Sequence, residues 1–183
     1  MENIMVEQKQ TKLRGLILAA QFAIILAIFA QITIPFGIVS LTGQTLALGL
    51  FATIASPWIS TSAVGVYLLL GMIGLPVYAG GTSGITVLFG PNWGYLFGFL
   101  AYTLIVGMLM KISTSWWNIA LSNVVGALTQ LFMGAIGIAT WNQLALGSVI
   151  KPAMLVFIPA AIVKIIIIVF VTRIIIKKFG IFN

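Results

Sequence analysis

Between Gly15 and Thr172 this chain carries only three charged side chains, those of Lys111, Lys151 and Lys164. Long, continuous apolar runs fill the rest of that region. A water-soluble domain has about 25% charged residues, whereas this chain has 6% charged and 61% hydrophobic residues. Continuous runs are typical of membrane-spanning helices, and a membrane barrel would need alternating apolar and polar residues. We therefore predict an all-α integral membrane protein.

The apolar runs predict one domain, residues 1–183, with six transmembrane helices. Pro35 and Gly37 are expected to end the first helix, and Pro91 to begin the fourth, because proline fits the first turn of a helix. Residues 141–158 are expected to form an outer loop with a short interfacial helix. The chain is thus divided into a polar tail at about 1–12, disordered or lying on the membrane, and spans at about 13–34, 44–55, 59–73, 91–110, 116–139 and 160–178.

The basic residues predict the orientation of these spans. With six spans, most of them fall on one side of the membrane, which the positive-inside rule makes the cytoplasmic side. The net charge of +7 therefore reflects membrane topology and does not indicate nucleic-acid binding. Both termini are predicted to be cytoplasmic in a multi-pass membrane protein. The residues on that side are Lys9, Lys12, Arg14, Lys111, Arg173, Lys177 and Lys178.

Several reactive residue types are missing from the sequence. It has no cysteine and no histidine, and its only acidic residues are Glu2 and Glu7. A proton-coupled carrier needs a carboxylate or histidine within the membrane, and an enzyme needs a general base or metal ligands. We therefore expect no catalytic residue, no metal site and no cofactor. The chain can bind a molecule but has no evident means of driving transport or chemistry.

A glycine-rich segment, residues 71–99, separates the third and fourth predicted spans. Irregular backbone at membrane depth is tolerated only where protein buries it or where it lines a wet cavity. The segment is therefore a candidate cap over a ligand, with a plain flexible loop as the alternative. Apolar side chains such as those of Val77, Tyr78 and Leu88 would be unusual in a solvated linker.

The predicted outer ends of the spans combine aromatic walls with a few amide and hydroxyl groups, which is typical of a small-molecule pocket. Alternatives remain for some members, since the glycine pair could be a passive turn and Trp93 an interfacial anchor. Amides such as Asn123 more often join helices than line pockets. The candidate substrate-binding residues are Gln44, Thr45, Tyr78, Gly80, Gly81, Asn92, Trp93, Tyr95, Asn123 and Lys164.

Lys164 lies about one turn inside the last predicted span, and no acidic residue of the membrane part can pair with it. An unpaired ammonium there is costly. The side chain could reach outward to water, stay neutral, or meet an anionic or strongly hydrogen-bonding ligand.

Four stretches of the sequence resemble one known family. GLPVYAGG at 74–81 and GPNWGYLFGF at 90–99 are similar to the signature of the BioY family, the biotin-binding S components of energy-coupling-factor (ECF) vitamin transporters. LTGQTLAL at 41–48 and VFIPAAIVK at 156–164 resemble the segments that open the family's second and last helices. The chain departs from the family at two places. It has Asn92-Trp93 where the family typically has Thr-Gly, and Ala160-Ala161 where the family typically has Gly-Asp.

The resemblance implies an S-component-like bundle that captures biotin in an outward-facing pocket capped by residues 74–91, with Lys164 in that pocket. It also implies a bacterial plasma membrane as the location, with a transmembrane scaffold (T) protein and two ATPase subunits as partners. The ATPase subunits would hydrolyse the ATP. Because the family's aspartate belongs to its ligand site, a biotin relative or another small carboxylate remains an alternative substrate. A non-transport membrane scaffold protein is a further alternative.

Three small side chains, Ala19, Ala23 and Ala27, recur every four residues on the first predicted helix. Such a stripe allows another helix to approach closely. Internal packing is one interpretation. The resemblance implies the other, in which the stripe docks against the T protein.

Overall fold

The computed structural model describes the backbone of residues 2–34 and 40–179 and the side chains of residues 12–34 and 40–179. Within these residues the chain is helical except for connecting turns, one short 3-10 turn at Ala79–Gly81 and two paired two-residue strands, β1 (Thr33–Ile34) and β2 (Leu41–Thr42). The helices are α1 (Glu2–Gln31), α2 (Gln44–Ile54), α3 (Pro57–Met72), α4 (Ile85–Leu88), α5 (Trp93–Leu109), α6 (Trp116–Trp141), α7 (Leu146–Leu155) and α8 (Ile158–Phe179).

Three of these helices are long and apolar enough to cross a membrane: Lys12–Gln31 within α1, then α6 and α8. Helices α2, α3 and α5 are apolar but shorter. At 1.5 Å per residue, the 11 residues of α2 span only about 16 Å. The short α7 lies where the sequence predicts a short helix.

Two helices begin at other residues than the predicted spans, although the apolar segment of α1 begins at Lys12, as predicted. Helix α1 begins at Glu2, so residues 2–12 continue the helix and do not form a separate tail; several of them, such as Glu7 and Lys9, are good helix formers. Pro91 precedes α5, because the N–H of Trp93 donates to the carbonyl of Gly90 and closes a turn around Pro91 and Asn92. The predicted helix end at Pro35 and Gly37 lies outside the described residues.

Contacts between distant residues define two ends of the bundle. At one, which we call the basic end, Arg173 Nη1 donates to the carbonyl of Thr114 at 3.0 Å, and its guanidinium stacks over the ring of Trp116 at 5.3 Å. At the other, the cavity end, Lys164 Nζ donates to the carbonyl of Thr42 at 2.6 Å. These contacts hold α8 alongside the α5–α6 turn at one end and the start of α2 at the other.

Glycines bring α5 and α6 into close contact. A Cβ at Gly94 would overlap the carbonyl oxygen of Met133 and lie 2.9 Å from the backbone nitrogen of Gly137. A Cβ at Gly98 would lie 3.1 Å from the Cα of Gln130. The small-residue spacing that the sequence shows at Gly94 and Gly98 therefore serves close helix packing.

A buried polar network crosses the middle of the bundle. Tyr102 Oη donates to Asn123 Oδ1 at 2.7 Å, and Asn123 Nδ2 donates to Thr53 Oγ1 at 3.1 Å and to the carbonyl of Ile119 at 2.9 Å. Thr53 in turn donates to the carbonyl of Gly49. The network joins α2, α5 and α6, and each of its polar side chains is hydrogen-bonded, as burial requires.

The alanine stripe of α1 faces the inside of the bundle. Ala19 and Ala23 are each only 1% exposed, and Ala27 packs against the central apolar cluster. Helix α1 lies mainly against α3. The interpretation of this stripe as a docking surface for a partner is therefore wrong, because the chain's own helices cover Ala19 and Ala23, two of its three side chains.

Candidate substrate-binding site

A cavity of about 450 Å³ occupies the cavity end of the bundle. The start of α2, the segment between α3 and α5, and the helices α5, α6 and α8 enclose it. Its volume lies within the range of about 300–1,000 Å³ that is usual for small-molecule sites. Its wall is mainly apolar and aromatic, with a few polar groups placed among these side chains.

Tyr78 fastens the glycine-rich segment to α3. Its side chain is 1% exposed, and its hydroxyl donates to the carbonyl of Leu68 at 2.6 Å. The ring meets Tyr67 edge-on, with 5.5 Å between centroids, and occupies the space that a Cβ at Gly71 would need. Burial raises the pKa of the Tyr78 phenol, so the hydroxyl remains a donor at neutral pH. This anchor holds the segment as one wall of the cavity.

The polar wall begins at α2. Thr42 Oγ1 donates to Gln44 Oε1 at 2.7 Å, and Gln44 Nε2 donates to Tyr67 Oη at 2.6 Å. Gln44 is 3% exposed. Its amide is therefore fixed on both sides by the chain itself and orients the turn that begins α2.

Lys164 extends from α8 to the start of α2. Its Nζ donates to the carbonyl of Thr42 and, at 2.7 Å, to Thr45 Oγ1. An ammonium carries three N–H groups, and the third is not accepted by any described residue, so it is available to a ligand. Among the described residues that line the cavity, Lys164 is the only charged one. The first N–H groups of α2 have no partner within the helix and add a positive potential beside it.

Aromatic residues form the opposite wall. Tyr95 Oη donates to the carbonyl of Ala153 at 2.9 Å, which ties α5 to α7, and its ring packs against Phe157 with 5.8 Å between centroids. Phe99 and Tyr102 continue this wall toward the middle of the bundle. An apolar molecule with polar ends would therefore find contacts along the length of the cavity.

The structure brings together six of the ten predicted site residues: Gln44, Thr45, Tyr78, Asn92, Tyr95 and Lys164 all line the cavity. The side-chain oxygen Oδ1 of Asn92 is buried and has no hydrogen-bond partner among the described residues.

The other four predicted residues do not line this cavity. Gly80 and Gly81 are exposed and have φ angles of 67° and 75°, so they form a left-handed turn that favours glycine. Trp93 lines a separate aromatic groove and donates to Thr140 Oγ1 at 3.3 Å. Asn123 belongs to the buried polar network and joins helices there, which is the alternative given above for amides in the spans. Their placement follows from local backbone geometry and helix packing.

The sequence prediction missed several lining residues, notably Thr42, Thr86, Phe99, Gln130 and Phe157. Thr42 belongs to the LTGQ stretch, and its neighbours Gln44 and Thr45 could have pointed to it. Gln130 is visible in the sequence as an amide in a predicted span, but its facing depends on the rotation of α6. Ala160 and Ala161 also line the cavity, where they add no polar group.

Comparisons with known proteins agree with this geometry. The BioY family model matches residues 5–180. A biotin transporter of Lactococcus lactis subsp. cremoris, BioY2, is 39% identical over 157 residues, which cover 85% of this chain and 86% of the relative. The biotin transporter BioY of Thermotoga maritima is 35% identical over 115 residues, covering 62% of this chain and 68% of the relative.

A solved structure has the same fold. The crystal structure of the S-component for biotin from an ECF-type ABC transporter superposes with a TM-score of 0.84 and 27% sequence identity. The match covers 94% of this chain and 95% of that chain. The helical arrangement around the cavity is therefore that of a known S-component.

Proposed function

The chain belongs to the BioY family, and we propose that it is the substrate-capture (S) subunit of an ATP-driven ECF-type importer with biotin as its substrate. The names of its relatives and the superposed structure support the substrate. The single observation that carries the proposal is the cavity itself, an aromatic-walled space with one cation and no anion among its described lining residues.

Biotin has two chemically different ends that suit this cavity. Its carboxylate supplies the negative charge that Lys164 lacks within the membrane part of the chain. The free N–H of Lys164 and the N-terminal end of α2 both favour an anion at that position. The apolar ring sulfur and the methylene tail suit the walls formed by Tyr95, Phe99 and Phe157.

The proposed topology has six crossings, made by α1, α2, α3, α5, α6 and α8, with both termini in the cytoplasm. Three pairs of neighbours support it. A Cβ built at Gly15 would lie 3.9 Å from Ile59. A Cβ built at Gly107, near the end of α5, would lie 2.8 Å from the Cα of Pro57. Arg173 also donates to the carbonyl of Thr114. The part of α1 around Gly15, the start of α3, the α5–α6 turn and the end of α8 thus share the basic end. The positive-inside rule makes that end cytoplasmic, so the cavity opens outward.

The proposed partners are a T protein and two ATPase subunits in the bacterial plasma membrane. The sequence contains no phosphate-binding loop and no acidic residue after Glu7. Energy for release of the substrate would therefore come from the partner ATPases. The S-component named in the superposed structure belongs to an ECF-type transporter, which supports this assembly.

The test pairs a change in the protein with a change in the ligand. Lys164→Met should weaken biotin binding about 10- to 150-fold, because a hydrogen bond to a charged group contributes about 1.5–3 kcal/mol. Biotin methyl ester lacks the anion, so the same substitution should change its affinity much less. Titration calorimetry on the purified protein in detergent measures both affinities.

Lys151→Met is the matched control, because Lys151 is exposed on α7 and does not line the cavity. Its biotin affinity should equal that of the unmodified protein. If biotin does not bind the unmodified protein while another small carboxylate does, the proposed substrate is wrong. If no small molecule binds, a scaffold role replaces the capture role.

A further inference from the structure

Most polar side chains of the cavity are already engaged within the chain. Each of them donates to or accepts from a described neighbour, so a ligand could bind it only through a remaining lone pair or proton. This group consists of Thr42, Gln44, Thr45, Tyr78, Thr82, Tyr95 and Tyr102. Four polar side chains of the lining, Ser40, Thr86, Asn92 and Gln130, make no such bond to a described residue, so a ligand can bind them without displacing a neighbour.

Gln130 is one of these four side chains. It lies on α6, lines the cavity and is 5% exposed, yet its amide makes no hydrogen bond to any residue within 12–34 or 40–179. Neither of its amide atoms is among the fully buried atoms that lack a partner, so the amide faces the cavity, where a ligand or water can reach it. Membrane proteins tolerate such a group where a ligand or water completes it.

The position of Gln130 is fixed by packing. Gly98 on α5 lies directly against it, since a Cβ at that glycine would be 3.1 Å from the Gln130 Cα and 3.2 Å from its Cγ. Gln130 is 11 residues before Trp141, the end of α6, or about 16 Å along the helix. Lys164 is six residues from Ile158, about 9 Å into α8. Measured from these helix ends, Gln130 therefore lies farther along α6 than Lys164 lies along α8.

We infer that Gln130 recognises the ureido group of the substrate, an assignment that rests on the proposed function. A side-chain amide offers an N–H donor and a C=O acceptor side by side. A cyclic urea presents its own N–H and C=O on one edge in the complementary order, so the two groups form a pair of parallel hydrogen bonds. The carboxylate then points outward to Lys164, and the substrate enters ring first.

Asn92 also has an unpartnered oxygen in this cavity, but it stands at the turn before α5. Gln130 lies within a long helix that glycine contacts hold against α5. Groups on packed helices keep their geometry better than groups beside loops. The geometry therefore favours Gln130 as the residue that selects for the ureido group.

Gln130→Met keeps the length of the side chain and removes both polar atoms. Biotin affinity should fall about 10- to 100-fold, the effect of losing two neutral hydrogen bonds. Biotin methyl ester should lose affinity by the same factor, because its ureido group is intact. The melting temperature of the ligand-free protein should stay close to that of the unmodified protein, because the amide bonds no described residue and a side chain of the same length takes its place.

Thr129→Val is the matched control on the same helix, since that hydroxyl bonds only the carbonyl of Val125 and does not line the cavity. Calorimetry and thermal unfolding should match the unmodified protein. Gln130→Met with biotin affinity within twofold of the unmodified protein overturns the inference. The inference is also overturned if Gln130→Met lowers both the biotin affinity and the melting temperature of the ligand-free protein, because Gln130 would then be a structural residue. Both outcomes require that the unmodified protein binds biotin, so failure of the proposed function is distinguishable.

Discussion

Replacing Gly71 with alanine should release the glycine-rich segment from α3. The Cβ of an alanine would occupy the space of the Tyr78 ring, on three of its atoms. The ring cannot yield in place, because Tyr67 packs on it and its hydroxyl is held by the carbonyl of Leu68. We expect Gly71→Ala to expel the tyrosine and to open the wall of the cavity that Tyr78 anchors.

The magnitude follows from what Tyr78 loses. Removing a large buried aromatic side chain costs about 3–5 kcal/mol, and its hydrogen bond adds about 0.5–1.5 kcal/mol. Alanine regains about 0.8–1.0 kcal/mol of helix propensity over glycine. The net loss is about 2.5–5.5 kcal/mol. Biotin affinity should fall about tenfold or more, because only the fraction of molecules with a closed wall binds it well.

Gly65→Ala is the matched control on the same helix, since no atom lies within 4 Å of its added Cβ. That variant should be stabilised by about 0.5–1 kcal/mol and bind biotin normally. Thermal unfolding and calorimetry on both variants decide the matter. If Gly71→Ala melts and binds like Gly65→Ala, the anchoring role of Tyr78 is refuted.

Two further substitutions test helix packing. Gly94→Ala should lower stability by about 1–3 kcal/mol, because its Cβ would overlap the Met133 carbonyl. The control Gly147→Ala has open space around its Cβ and should not lower stability. Equal melting temperatures of the two variants would contradict the close α5–α6 contact. Ala23→Leu should cost a similar amount through overpacking of a side chain that is 1% exposed, whereas Ile24→Leu, at a site that is 57% exposed, should leave the melting temperature unchanged. An Ala23→Leu protein that keeps its melting temperature but no longer co-purifies with a T protein would restore the docking interpretation.

The sequence was most informative about composition and local signals. The helical membrane fold follows from runs such as 160–178, which lack charge over most of their length, and the break near Pro159 is visible in the residues themselves. Three lining residues, Tyr78, Gln44 and Lys164, could be predicted as members of the site. An aromatic side chain is unusual in a glycine-rich loop, and polar or charged side chains are rare in apolar spans. These signals depend on residue type and need no knowledge of helix rotation.

The errors concern properties that depend on how helices turn toward each other. A stripe at i, i+4 spacing is equally suited to an internal and an external neighbour, and the burial of Ala19 and Ala23 is decided by α3. Trp93 begins a helix whose rotation places its indole in a separate groove. Gln130 faces the cavity because Gly98 lets α6 approach α5. None of these rotations is encoded in the spacing of a single helix.

The hydrogen-bonded network of Tyr102, Asn123 and Thr53 bears on leakage across the membrane. Tyr102 lines the cavity, whereas Asn123 and Thr53 lie beyond it and are completely buried. Because these three side chains satisfy one another, none of the three offers a free polar atom that would draw a water molecule from the cavity floor further inward. A file of waters, which protons need in order to hop, would therefore be interrupted at this network. In the proposed topology, we accordingly expect the cavity to stand open on one side without passing protons through these three side chains.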